Sequence, residues 1–187
     1  MRFHSVVLWA PLAAVLPLAG GCFTAAKEGI GVATGPKGVY AQTQRLAPGD
    51  TSTVLAPYGR FELEGFQDDF AGQAPPALLE YLPLHFRRQL AQHKLLPNDE
   101  GKTLLVRGTV IYYQSVGTVG GVVLGDIEQV VTRVELVDQG SQQVLGQAIC
   151  VGLSTDRVNM GVEKKAEGLA KAIVQWIADN CPVPSKQ

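Results

Sequence analysis

The chain has 187 residues, 46% of them hydrophobic and 18% charged, with a formal net charge of -1. Once a leader is set aside, that length favours one domain with a sizeable core over two. The near-neutral balance, with no basic run longer than Arg87 and Arg88 or Lys164 and Lys165, lacks the electrostatic footprint of a nucleic-acid binder.

Residues 1–21 read as a secretory signal: Arg2, an apolar run from Val6 to Leu18, then Ala19, Gly20 and Gly21 ahead of Cys22. The apolar run is shorter than the roughly 20 residues of a membrane span, and it contains Pro11 and Pro17. This stretch resembles a bacterial lipoprotein signal. The resemblance implies export, cleavage before Cys22, and acyl chains such as palmitate on its sulfur and new amino group. Two acyl chains suffice for stable anchoring. Phe23, in place of the Asp that retains such proteins at the inner membrane, points to the outer membrane, facing the periplasm. The alternative is an ordinary secretory signal in which Cys22 is incidental.

Residues 22–50 are rich in Gly, Ala and Thr and read as a flexible leader. Gly29, Gly31 and Gly35 do not have the spacing of a phosphate loop. A single domain is expected over residues 51–187. Its first strand places Phe61 and Leu63 on one side and Arg60, Glu62 and Glu64 on the other. Leu78, Leu82, Phe86 and Leu90 then recur every four residues, predicting a helix whose regular stretch runs from Pro83 to Leu95, since an interior proline kinks or restarts a helix. In the next strand Leu104, Val106, Gly108, Val110 and Tyr112 form the uncharged set expected to be buried. Gly117 to Gly121 reads as a turn. A further strand turns Val130, Thr132, Val134 and Leu136 inward. The last strand has Leu145, Ile149, Val151 and Leu153 on one face and Ala148, Cys150 and Gly152 on the other. An amphipathic helix with Ala166, Leu169, Ala170, Ile173 and Ile177 on one stripe ends the domain.

The order β-α-β-β-β-α predicts an α+β fold: a mainly antiparallel sheet of about four strands with two helices on one face. LLVRGTVIYY, a glycine-rich turn and VVTRVELVDQGSQQVLGQA, with Val137, Asp138, Val144, Leu145 and Gly146 at their centre, resemble an uncharacterised family of bacterial lipoproteins with a domain of unknown function. The fold implied by this resemblance is similar to the N-terminal domain of the Tol-system propeller protein and to the periplasmic domain of the curli secretion lipoprotein. It implies no catalytic residues.

No metal or cofactor is expected, because no Cys/His cluster has ligand spacing. His85 and His93 stand eight apart and read as surface residues. Glu62 with Glu64, and Asp68 with Asp69, read as solvated charge. Ser154, Thr155 and Asp156 have no histidine at a recognisable nucleophile motif, so no enzyme is expected.

With Cys22 assigned to lipid, Cys150 and Cys181 remain as an even pair in an oxidising compartment. Cys181 continues the apolar face of the last helix and Cys150 lies on the sheet. That placement favours a disulfide, with two free thiols as the alternative. Tyr58, Tyr112, Tyr113 and Trp176 are candidates for an interaction patch. The function expected is a membrane-anchored, non-enzymatic envelope domain that binds a protein partner or itself. The alternative is a carrier of a small apolar or glycan ligand held between helix and sheet.

Overall fold

In chain order the elements are β1 (Lys37–Gln44), β2 (Tyr58–Leu63), β3 (Gln67–Asp68), α1 (Pro76–Gln92), β4 (Lys102–Gln114), β5 (Gly117–Val119), β6 (Val122–Leu124), β7 (Glu128–Asp138), β8 (Val144–Ser154) and α2 (Val162–Asn180). The computed structural model describes residues 35–46, 54–69, 72, 74–95, 97, 101–115, 117–119, 122–124, 128–154 and 161–181. The signal, Cys22 and the beginning of the leader lie outside them.

The fold is α+β, but its main sheet has six strands and is mixed. Its order is β1-β8-β7-β4-β2, with β3 also on β4. The run β1-β8-β7-β4 is antiparallel, whereas β2 and β3 pair with β4 in parallel. The parallel pairs follow from the helix between them, because a crossover through α1 returns the chain in its original direction. β5 and β6 form a separate hairpin, where the sequence predicts only a turn.

β1 lies inside the segment expected to be leader. Its signal is weak because it is an edge strand whose inward positions are Gly38 and Tyr40, and all its residues from Ala41 on are exposed. Gly38 is required there. A Cβ on it would overlap the α2 backbone at Gly168 O and Ala172 N, and one on Gly152 would overlap Lys165 O and Leu169 N. Glycines at 38, 152 and 168 thus let α2 press directly onto β1 and β8.

α1 begins at Pro76 rather than Pro83. Pro76 suits a first helical position, where its missing N–H costs nothing, and the helix continues through Pro83. Burial of Leu78, Leu82, Phe86 and Leu90 along the predicted stripe outweighs the lost backbone bond. The core lies between the two helices and the inner sheet face, formed by Leu104, Val106, Val110, Val130, Val134, Leu136, Ala148 and Cys150.

Candidate interaction surface

The helix-free face of the sheet carries an apolar row that crosses four strands. Val39 pairs with Val151, Val151 with Val131, and Val131 with Tyr112. Val39 is 51% exposed and Tyr112 38%, and Val131 and Val151 are half-buried. On one side of this row the next outward positions are Lys37, Leu153, Gln129 and Gln114; on the other they are Ala41, Ile149, Arg133 and Thr109. Further along, Leu105 and Val137 are buried, so the open region of this face is the end where β1 enters.

Tyr112 reaches this face through a bulge. The register of β4 on β7 slips between Val110 and Tyr112, with Ile111 as the extra residue, so the alternation reverses. Tyr113, rather than Tyr112, then turns toward the helices, opposite Val130. Simple alternation predicts the reverse, because a bulge leaves no period-2 trace in the sequence.

The four candidate aromatics therefore do not share a surface. Trp176 is fully buried beside Tyr40, their ring centroids 6.5 Å apart. Tyr40 donates a 2.7 Å hydrogen bond to Asp179; burial first, then Asp179, pushes its hydroxyl up to about 12. Tyr58 donates to Asp138 Oδ2 at 2.7 Å. Tyr113 lies under the Lys165 ammonium, which stands 4.5 Å from its ring centroid. Tyr112 is the one of the four that is exposed, and Val39, Val131 and Val151 join it where no single-strand pattern marks them.

Lys165 braces the end of the sheet where this surface lies. Its Nζ is 3.3 Å from Glu128 Oε2 and donates to Gln114 O at 3.2 Å, and Glu128 Oε2 accepts from Gly161 N at 2.5 Å. The cluster ties the end of β4, the start of β7 and the first turn of α2 together, and Gln114 and Glu128 are the two ends from which the β5–β6 hairpin departs. Burial pulls the Lys165 amine below its ordinary value despite the opposing pull of Glu128.

At the opposite end, the Asp138 carboxylate accepts from Tyr58 and, at Oδ1, from the Ser141 backbone at 2.7 Å and its hydroxyl at 2.9 Å. The Tyr58 bond first, then those from Ser141, hold its carboxyl down at about 2. This is an Asx-type turn that closes the β7–β8 hairpin. Its residues bond one another.

His93 is exposed as expected, but His85 is buried, with Nε2 3.5 Å from Glu163 Oε1 on α2. Three residues beyond Leu82, it lies on the helix–helix side of the stripe. Arg107 on β4 pairs at 2.7 Å with Glu64, just past the end of β2, which gives Glu64 a charged partner where the sequence reads solvated charge. No group of three or more metal-ligating side chains occurs among the described residues.

The expected disulfide is not formed: Cys150 and Cys181 are both free thiols. Cys150 faces the middle of α2, because Gly152, one strand repeat away, lies against Gly168. Cys181 follows the helix end, roughly 12 Å further along its axis, beyond the ~7 Å Cα separation a disulfide spans. Sharing a face is not sharing a level. Burial pushes the Cys150 thiol up to about 12 and that of Cys181 up to about 11, so both stay protonated at neutral pH.

A groove of about 300 Å³ runs between β2 and α1, lined by Phe61, Leu63, Pro83 and Phe86 with Glu62 and Arg87 at its rim. It lies at the outer edge of the helix–sheet interface, away from the apolar row.

Among the described residues these features define an α+β fold with two helices on one face of a mixed sheet and an apolar strip on the other. No protein-family profile matches the chain, and no curated protein matches it. Among solved structures it is similar to the PelC dodecamer from Paraburkholderia phytofirmans, at 15% identity and a TM-score of 0.49 over 72% of this chain and 93% of that one. A methionine-substituted variant of the same PelC gives 16%, 0.46, 74% and 97%. A minor lipoprotein from Acinetobacter baumannii gives 13%, 0.42, 66% and 94%.

Proposed function

We propose that this chain is a lipid-anchored domain of the bacterial cell envelope, attached through Cys22 and held at the outer membrane facing the periplasm. It works without catalysis, by contact between its helix-free sheet face and protein. The observation that supports this reading is the Val39–Val151–Val131–Tyr112 row, an apolar strip left open on a domain whose other face is fully packed. Its non-enzymatic character rests on the sequence and on the roles of the ionised groups: Asp138 closes a turn and Lys165 with Glu128 joins three elements. Anchoring rests on the sequence of residues 1–22.

A photo-activated crosslinking residue at Val39, read in intact cells by mass spectrometry, tests the contact role. Crosslinks to protein are expected, and a chain that crosslinks to none rejects it. The mass of the processed N-terminal peptide tests the anchor: acyl chains on Cys22 are expected, and an unmodified cysteine rejects it.

The second reading, a carrier of a small apolar or glycan ligand, is favoured by the groove between β2 and α1, whose aromatic floor and charged rim suit a small amphipathic molecule. Its volume stands at the lower end of ligand sites. Native mass spectrometry of protein released gently from membranes tests it: a bound small molecule lost on Phe86→Ala would support it, and its absence would reject it.

A further inference from the structure

The open face is self-complementary, and this names its partner. Consider a second copy laid face to face on the first, turned by half a rotation about an axis running along the Val39–Val151–Val131–Tyr112 row. Each of these residues then meets its own counterpart. The flanking rows exchange places, so that Leu153 lies over Ile149 of the second copy, Gln129 over Arg133, Lys37 over Ala41 and Gln114 over Thr109. Apolar meets apolar on β8, amide meets guanidinium on β7, and no like charges oppose. Turning the copy about an axis along the strands instead sets β8 over β7 and puts Ile149 against Arg133, an unpaired buried charge.

The chain outside the structure is compatible with the same axis. β1 is the edge strand at one end of the row, so the rotation leaves both copies of β1 at the same end of the pair. Both chains enter there, at Gly35, and both anchors reach one leaflet when the axis stands along the membrane normal. Twelve residues separate Cys22 from Gly35, a span of at most about 45 Å.

We infer that the helix-free face pairs with the same face of a second copy of this chain, about a two-fold axis along the Val39–Val151–Val131–Tyr112 row. This deepens the contact role proposed above and rests on it. The strip covers on the order of 400 Å² per copy from the strand and row spacings, and a pair buries less than the roughly 1,200 Å² of a stable interface. Tethering two copies to one membrane supplies the high effective concentration that such a contact needs.

The test uses the full chain, expressed with its own signal, and a short bifunctional thiol reagent applied to isolated membranes. Facing sheets pack about 10 Å apart. A Val131→Cys pair on the axis is then within reach of the reagent, while two copies of Arg133→Cys stand about 17 Å apart at their Cα atoms. Val131→Cys should shift to dimer mass, Arg133→Cys alone should stay at monomer mass with the unsubstituted chain, and Arg133→Cys co-expressed with Gln129→Cys should shift again. Val39→Cys, at an exposed edge position, repeats the on-axis test where folding is not at stake. The pairing is overturned if Val131→Cys and Val39→Cys both remain monomeric, or if Arg133→Cys alone crosslinks as well as they do. Capture of a different protein from Val39, with no thiol-linked dimer, overturns the pairing and keeps the contact role. The N-terminal mass on the same membranes reads the anchor separately.

Discussion

Lys165 Nζ lies 3.3 Å from Glu128 Oε2, with the two side chains only 1% and 7% exposed. Taking two charges out of water costs several kcal/mol each, and their attraction offsets this only while both are present and hydrogen-bonded. Here Gln114 O and Gly161 N complete the set. Glu128→Gln should therefore destabilise the domain by about 3 to 5 kcal/mol, because it strands a buried ammonium. Lys165→Met combined with Glu128→Gln should recover most of that loss. The urea midpoints of the three proteins check this, and equal midpoints for the single and double variants would reject it.

Gly152→Ala should loosen the contact between α2 and the sheet. The new Cβ would run into the helix backbone, which cannot yield as a flexible side chain can. Overpacking of this kind costs typically about 1 to 3 kcal/mol. Gly72→Ala places its methyl in open space at a φ of 72° and should cost only about 1 kcal/mol, from backbone strain. Thermal unfolding of the two variants ranks them, and the reverse order would contradict the close approach.

The Asp138 carboxyl, held at about 2 against an ordinary 3.8, makes stability depend on acid. Its folded value is depressed, so its contribution is present above about pH 4 and is lost as pH falls from there toward 2. Asp138→Asn should flatten the decline of the urea midpoint across this window. Tyr58→Phe should flatten it less, since Ser141 still donates twice. A full slope in Asp138→Asn would assign the acid sensitivity elsewhere.

Thiol labelling distinguishes the two states of Cys150 and Cys181. Unreduced, denatured protein lipidated at Cys22 should take two labels, one on each. The folded protein should label slowly at Cys150, which is fully buried, and faster at half-buried Cys181. Finding no label after denaturation would restore the disulfide.

Much of the inner face is legible because each central strand keeps one uncharged alternate set. Val130, Thr132, Val134 and Leu136 are buried as their spacing predicts, as are Leu169, Ala170, Ile173 and Ile177 on α2. What the sequence hides lies where a local rule gives way to a distant contact. On β8 the bulkier set, Ile149, Val151 and Leu153, faces outward, because only Ala148, Cys150 and Gly152 are small enough to sit beneath α2. β1 escapes notice for the same reason, its inward Gly38 serving a helix that arrives more than 120 residues later. The apolar row itself is a property of register among four strands, and no one of them carries more than one of its members.

β1 also sets how the domain responds to force. A pull on the chain ahead of β1 enters through Pro36, whose carbonyl accepts from Lys171 Nζ at 3.0 Å, and then reaches the seven residue pairs that join β1 to β8. Drawn along the strand, those pairs share the strain together; drawn sideways from the sheet, they separate in succession, beginning with Lys37 and Leu153. A load applied through that end would therefore strip the first strand before disturbing the core, and the direction of pull would decide how readily it lets go.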